Sequence, residues 1–263
     1  MSPSALFAAA LAALQGAQDG GIFFPPQATE AAAEHDWVFF LILGISAFFF
    51  VLINVGAVYF AIRYRRKAKG EPVEKSPSHN TGIELVWTII PTIIVCYLFY
   101  VGMTGYVDRR QAPAGAQTIY AIGSKWSWKF VYPEGFESTE LRAPAGADVR
   151  LVITSTDVLH SVYIPAFRLK MDAVPGRYTD AWFNATRPGK YNLFCAEYCG
   201  QQHSQMDAEV TIYSDAADYD AWVKEQTSLG DLSPVELGEV LYTRKTCSTC
   251  HSDPHKPSLS DDC

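Results

Sequence analysis

Two long stretches of the chain are apolar and carry no charged residue. They cover residues 37–62 and 85–107, which is 26 and 23 residues. A helix rises ~1.5 Å per residue, so a helix of either length exceeds the ~30 Å hydrocarbon core of a bilayer. The pattern predicts two transmembrane helices, over residues 37–63 and 83–107, with helices buried in a large core as the alternative.

The basic residues that precede position 108 all lie between these two stretches. They are Arg63, Arg65, Arg66, Lys67, Lys69 and Lys75. Loops rich in Lys and Arg remain in the cytoplasm, so we expect residues 64–82 to form a cytoplasmic loop and both termini to lie outside. The C-terminal part is then predicted to face the periplasm or an equivalent outer space, which for a bacterial protein corresponds to a location in the inner membrane.

The N-terminal region contains two further segments. An apolar run with small residues after it predicts a signal peptide over residues 1–21, although the basic flank of such a peptide is missing. An unprocessed apolar leader is the alternative. Residues 22–36 then form an outer segment that leads into the first membrane helix.

Beyond a linker at residues 108–116, apolar positions alternate with polar ones in short runs. Three such runs are residues 118–122, 149–153 and 208–213. Alternation is typical of strands with one buried face, so residues 117–214 are predicted to form an all-β sandwich. A Greek-key β-barrel of the cupredoxin type fits this pattern, because the loops at one end of such a barrel bring a distant His, here His160, beside a Cys-to-Met loop, here Cys195 to Met206. Residues 215–232 predict a helix and linker, since Tyr219 and Trp222 are spaced to share one helix face.

The densest chemistry lies in a twelve-residue loop and one His upstream of it. The candidate ligands are His160, Cys195, Glu197, Cys199, His203 and Met206. Soft sulfur and imidazole favour copper or zinc over magnesium or calcium. Structural zinc is usually completed by four Cys or His ligands, whereas a Met that ends a Cys-His loop is typical of electron-transfer copper. Two Cys four residues apart could bridge two metals, which predicts a dinuclear copper centre; packing is the alternative for any single residue.

The outer part of the chain is acidic. Residues 108–263 contain 21 Asp and Glu against 15 Lys and Arg, a net charge of −6. This charge argues against nucleic acid and is suited to a basic electron-carrier protein, with solubility as the alternative explanation. Asp157, close to His160, is the preferred docking candidate.

A second metal motif stands near the C-terminus, in the sequence Cys247-Ser-Thr-Cys250-His251. It is the pattern of c-type haem attachment, in which two thiols bond the haem and the His ligates the iron. The preceding residues, 236–244, are typical of a first cytochrome c helix. Only twelve residues follow His251, and they contain no Met. We therefore interpret residues 233–263 as a truncated cytochrome c segment and expect covalent haem to be absent or poorly retained. A haem pocket completed by another subunit is the alternative.

The sequence resembles subunit II of the haem-copper cytochrome c oxidases, in the subclass with a fused cytochrome c. The resemblance rests on residues 157–161, 175–177 and 187–189, on the loop from Cys195 to Met206, and on both membrane segments. It implies that Cys195 and Cys199 bridge two coppers. One copper would add His160 and Met206, and the other His203 and the backbone carbonyl of Glu197. The Glu197 side chain would bind magnesium at the contact with subunit I, which agrees with the preference of carboxylates for hard cations.

The resemblance assigns roles to four more residues. Trp126 would be the exposed tryptophan through which electrons enter, and Trp128 its inner neighbour; core and edge packing is the alternative for both. Glu84 would mark the entrance of a proton channel into subunit I, with His79 assisting. A carboxylate at a membrane boundary is a proton-relay candidate on physical grounds too, and helix capping is the alternative.

These observations predict a membrane-anchored α+β protein with a two-helix transmembrane hairpin, a cupredoxin-like domain and a short helical cytochrome c remnant. The implied function is electron entry into a proton-translocating oxidase. Cytochrome c or a similar carrier would reduce the copper centre, and haem in subunit I would then receive the electron for the reduction of dioxygen to water. Subunit I, other oxidase subunits and the lipid bilayer are the implied partners. A membrane-anchored copper-delivery or copper-sensing protein is the alternative.

Overall fold

The structure is a computed structural model that describes residues 20–65, 78–228 and 232–244. Nearly all of the predicted signal peptide and most of the predicted cytoplasmic loop lie outside the described residues. The haem motif of Cys247, Cys250 and His251 also lies outside them.

Two long helices form the membrane hairpin. Helix α1 spans Glu30–Arg63 and helix α2 spans Thr81–Arg110. Both are longer than the predicted spans, because polar caps extend them into water: the Thr29 side chain accepts a hydrogen bond from the Ala32 N–H, and Asn80 accepts one from Ile83. The apolar central windows of both helices are left uncovered by the rest of the described chain, as expected for helices surrounded by lipid.

The outer domain is a sandwich of two five-stranded sheets, as predicted. The strands are β1 (Gln117–Ser124), β2 (Ser127–Val131), β3 (Glu137–Ser138), β4 (Leu141–Pro144), β5 (Asp148–Ser155), β6 (His160–Ile164), β7 (Leu169–Ala173), β8 (Thr179–Asn184), β9 (Gly189–Cys195) and β10 (Asp207–Tyr213). The sheet orders are β3-β2-β1-β5-β8 and β4-β10-β9-β6-β7. The pairs β1–β5 and β4–β10 are parallel, and the other pairs are antiparallel.

Alternation along the strands places the core between the two sheets. On β5, Val149, Leu151 and Ile153 are fully buried, whereas Arg150 between them faces outward. Phe130 and Leu193, from opposite sheets, are also fully buried. The alternating pattern in the sequence therefore corresponds to the packed faces of the sandwich.

Two helices follow the sandwich. Helix α3 (Ala216–Thr227) buries Tyr219 and Trp222 against one end of the sandwich. The centroid of the Trp222 ring lies 5.2 Å from that of Tyr132. Arg142 covers the Trp222 ring at 5.0 Å. Helix α4 (Pro234–Arg244) lies in the segment interpreted as a cytochrome c remnant, and the Glu236 carboxylate caps it by accepting hydrogen bonds from Ser233.

The segment before α1 is attached to the outer domain. The Ala28 N–H donates to the Ala166 carbonyl at 3.0 Å, and the Ala28 carbonyl accepts from the Thr186 N–H at 2.9 Å. At the start of α1, the Asp36 carboxylate receives two hydrogen bonds from the Arg168 guanidinium, at 2.8 and 2.9 Å. Both side chains are at least 95% buried. This attachment, which the sequence did not predict, fixes the outer domain to the top of the hairpin.

Candidate metal centre

Two adjacent strands and one returning loop assemble the predicted ligands. His160 begins β6 and Cys195 ends β9, and these strands are paired so that Val162 lies opposite Cys195. The loop from Cys195 leads to Met206 at the start of β10, where the Cys195 N–H donates to the Met206 carbonyl at 3.0 Å. Sheet pairing therefore closes the loop and holds its two ends beside His160.

The two cysteine sulfur atoms lie at the centre of the cluster, 3.8 Å apart. The Nδ1 atom of His160 is 3.8 Å from the Cys195 sulfur, and Nδ1 of His203 is 3.5 Å from the Cys199 sulfur. The Met206 sulfur lies 3.8 Å from that of Cys199. Two thiols, two imidazoles and a thioether thus converge on one small volume, a donor set that suits copper.

The backbone carbonyl and the side chain of Glu197 point in different directions. Its carbonyl oxygen is 3.2 Å from the Cys195 sulfur and accepts its hydrogen bond. The carboxylate points away from the cluster and binds the Lys170 ammonium at 3.1 Å. The backbone of Glu197 is thereby available to the soft-metal cluster, and its side chain faces the outside of the domain.

The central ligand atoms are shielded from water. His160 is fully buried, Met206 nearly so, and both cysteines are buried. Burial, together with the hydrogen bond and charge of the neighbouring Cys195, raises the pKa of the Cys199 thiol to about 11. Cys199 therefore keeps its proton at neutral pH in the metal-free chain, and metal binding must displace it.

Asp157 sets the orientation of the His160 ring. Its Oδ1 atom lies 2.8 Å from Nε2 of His160, so that Nδ1 faces the Cys195 sulfur. Partial burial acts to raise the pKa of Asp157, yet the hydrogen bonds from His160 and from the Lys125 and Val158 N–H groups lower it to about 2. A carboxylate behind a ligating imidazole fixes the ring and its tautomer. The sequence had indicated Asp157 only as a docking residue.

The two predicted tryptophans contact different parts of the cluster. Trp126 lies in the turn between β1 and β2 and is half-buried, and its ring packs on the backbone of Gly200, next to Cys199. Trp128 is buried on β2, with its ring centroid 6.0 Å from that of His160. A Cβ at Gly200 would lie 3.3 Å from the Trp126 ring, so the close approach depends on glycine.

Glu84 and His79 are not part of this cluster. They lie at the opposite end of α2, a helix that extends for about 45 Å at 1.5 Å per residue. The Glu84 carboxylate accepts a hydrogen bond from the Asn80 N–H at 3.1 Å, which is a helix-capping contact. His79 contacts the neighbouring Ser78 hydroxyl at 3.3 Å.

A polar network beside the ligands was missed by the sequence reasoning. The buried Ser161 hydroxyl donates to the Asp172 carboxylate at 2.8 Å, and Lys170 joins Asp172 to Glu197. These residues stand on β6, on β7 and in the ligand loop. Only the pairing of β6 with β7, which places Ser161 opposite Asp172, brings them together.

Comparisons with known proteins agree with this architecture. Residues 17–103 match the family model "Cytochrome C oxidase subunit II, transmembrane domain", and residues 138–212 match "Cytochrome C oxidase subunit II, periplasmic domain". Cytochrome c oxidase subunit 2 of Alkalihalophilus pseudofirmus is 33% identical over 83% of this chain and 68% of its own length. The subunit 2 of Thermostichus vulcanus is 30% identical over 89% of each chain.

A solved structure is also similar. The periplasmic domain of subunit II of cytochrome oxidase from Bradyrhizobium japonicum is 29% identical and aligns with 45% of this chain and 98% of its own, with a TM-score of 0.43. Both domain models match this chain, and the chain covers most of the length of the two relatives. The chain therefore belongs to the cytochrome c oxidase subunit II family and resides in the bacterial inner membrane, with its β-sandwich on the periplasmic side.

Proposed function

We propose that this subunit of a haem-copper oxidase binds two copper ions at Cys195 and Cys199 and admits electrons into the enzyme. The convergence of six donor atoms in the periplasmic domain, with His160, both cysteines and Met206 buried, carries this proposal. The family model of the oxidase subunit II periplasmic domain matches residues 138–212, which include every proposed ligand, and the family resemblance implies copper there. The comparisons do not favour the alternative of a copper-delivery or copper-sensing protein.

The resemblance to subunit II implies a division of the ligands between two ions, and the positions of the two histidines are consistent with it. His160 lies nearest Cys195, and His203 lies nearest Cys199. The two cysteines would bridge; His160 and Met206 would complete one ion, and His203 and the Glu197 carbonyl the other. When bound, the copper pair would accept one electron at a time from a soluble carrier and make it available to haem in subunit I.

The chain's own residues prepare this site for electron transfer. Strand pairing and the Asp157 hydrogen bond hold the ligand atoms in place, and burial excludes water from His160, both cysteines and Met206. A rigid, dry ligand shell changes little when charge arrives, which keeps the reorganisation cost low. Trp126 packs on the ligand loop at Gly200 and is partly exposed, so it joins the protein surface to the cluster.

Cytochrome c is the proposed electron donor. The net charge of −6 over residues 108–263 would attract a basic carrier and orient it towards the domain. Asp157 would add its negative charge to this attraction, while its carboxylate also accepts hydrogen bonds from His160 and from two backbone N–H groups.

Three further roles remain proposals. The Glu197 carboxylate would provide one ligand to magnesium at the contact with subunit I, where the ion would replace the Lys170 ammonium as its partner. Glu84, with His79, would admit protons from the cytoplasmic side, in addition to the capping contact that the structure describes. Haem at Cys247, Cys250 and His251 concerns residues outside the described part of the chain.

Replacement of Trp126 by Phe is expected to slow electron uptake while leaving the metals in place. The smaller ring would no longer reach Gly200, which lengthens the path to Cys199. We expect the rate of electron uptake to fall on the order of tenfold to a hundredfold. Stopped-flow reduction of the purified oxidase by reduced cytochrome c measures the rate, and metal analysis measures the copper content. Tyr120→Leu, which changes an exposed aromatic on the outward face of β1, is the control. Equal uptake rates in W126F and the wild type would remove Trp126 from the entry path.

A further inference from the structure

We propose that the outer end of the membrane hairpin binds one anionic phospholipid, with the phosphate at Arg109 and an acyl chain between α1 and α2. A cavity of about 600 Å³ lies there, below the copper domain. Its walls come from the first turns of α1, the last turns of α2 and the segment around Arg168. This volume falls within the ~300–1,000 Å³ of small-molecule sites.

The membrane side of this cavity is apolar. Val38, Phe39 and Ile42 line it from α1, and Gly102 and Gly105 line it from α2. A Cβ added at either glycine would meet no atom within 4 Å, so the space between the helices is open there. An apolar groove at this depth in the bilayer fits an acyl chain.

The water side of the cavity is cationic. Arg109, Arg110, Arg168 and Lys170 line it, and no Asp or Glu is among the lining residues that the structure describes. Arg168 and Lys170 have acidic partners outside the lining, so the positive charge of the cavity rests on Arg109 and Arg110, in a region whose net charge over residues 108–263 is −6. Arginines at the outer end of a span also run against the bias that places basic residues in the cytoplasm. A basic pocket between membrane helices favours an anionic headgroup.

Three of these cations already have partners, and Arg109 is incompletely paired. Arg168 binds Asp36, Lys170 binds Asp172 and Glu197, and Arg110 donates to the Tyr106 hydroxyl. Arg109 donates through Nη2 to the Ala31 carbonyl at 3.1 Å, but its Nε is buried without a hydrogen-bond partner in the described chain.

The chemistry of Arg109 selects a phosphate. A guanidinium presents five N–H donors in a planar fork that matches phosphate oxygens, and a buried donor without an acceptor is costly. A lipid phosphate would lie at the depth of Arg109, where α2 leaves the bilayer, and its acyl chain would enter the apolar groove. Free phosphate would leave that groove empty.

The test counts the lipids that remain on the purified oxidase. Native mass spectrometry of the detergent-washed complex, titrated with phosphatidylglycerol or phosphatidylcholine, measures retention. We expect the wild type to retain one phosphatidylglycerol more tightly than phosphatidylcholine. R109Q removes the charge and is expected to weaken retention by about tenfold or more, whereas R109K should recover part of it.

A second pair of variants tests the apolar groove. G105L fills it and is expected to displace the lipid, whereas G56L introduces the same side chain into open space on α1 away from the cavity and should not. Equal retention of both lipids, equal retention in R109Q, or an oxidase structure with a subunit I side chain in the cavity would overturn the proposal. The lipid count is independent of copper, so this result and the copper assignment fail separately.

Discussion

Replacement of Cys199 by Ser is expected to abolish binding of the copper pair. The Cys199 sulfur lies within 3.8 Å of both the Cys195 and Met206 sulfur atoms and 3.5 Å from Nδ1 of His203. A serine hydroxyl is a hard donor that stays protonated, so it cannot replace a bridging thiolate. We expect the affinity to fall by more than the ~10–100-fold typical of losing a partner outside the ligand set.

Metal analysis and visible spectra of the purified chain after copper loading measure this loss. Cys96→Ser is the matched control, since Cys96 is an exposed thiol on α2. It should bind as much copper as the wild type. Full copper binding with an unchanged spectrum in C199S would exclude Cys199 from the ligand set. Equal loss in C96S would show that the assay reports misfolding.

Replacement of Arg168 by Ala is expected to loosen the attachment of the copper domain to the membrane hairpin. The change leaves the Asp36 carboxylate, which is 2% exposed, without its bidentate partner. Breaking a buried ion pair in this way costs roughly 3–5 kcal/mol. Among the described residues, Gln27 and His35 would still contact Asp36, and neither replaces the bidentate guanidinium.

Urea unfolding of the detergent-solubilised chain, followed by tryptophan fluorescence, measures this cost. Lys129→Ala is the control, because its ion pair with Glu137 is exposed and contributes ~0–1 kcal/mol. Replacing both Asp36 and Arg168 with apolar residues of similar size should recover much of the stability. An R168A variant as stable as K129A would show that the pair does not hold the domain in place.

The fold was predictable where the periodicity was strong. Continuous apolar runs indicated the two membrane helices, and alternation at residues 149–153 indicated β5. Helix ends were harder, because α1 begins at Glu30 through a Thr29 cap that lies outside the apolar run. Capping depends on one side chain and leaves no periodic signal.

Contacts between distant parts of the chain were not predictable. Asp36 and Arg168 are 132 residues apart, and no pattern in either segment points to the other. Trp126 lies in the turn before β2, whereas Trp128 lies on that strand. Loop residues of this kind take their positions from tertiary packing, here against Gly200.

The candidate ligands were predictable because five of them fall within one short loop. The Cys, His and Met side chains among them favour a soft metal whatever conformation the loop adopts. The orienting contact of Asp157 with His160 was not predicted, since it depends on the ring direction at the start of β6. The pairing of Lys170 with Glu197 depends in the same way on where β7 lies beside the loop.

The copper content and electron spin resonance spectrum of the full-length chain, loaded with copper in detergent, test the central claim most directly. We expect two copper ions per chain that share one unpaired electron, because Cys195 and Cys199, whose sulfur atoms lie 3.8 Å apart, would hold the two ions close together. One zinc ion, or a single isolated copper with an unshared electron, would contradict the dinuclear site at Cys195 and Cys199.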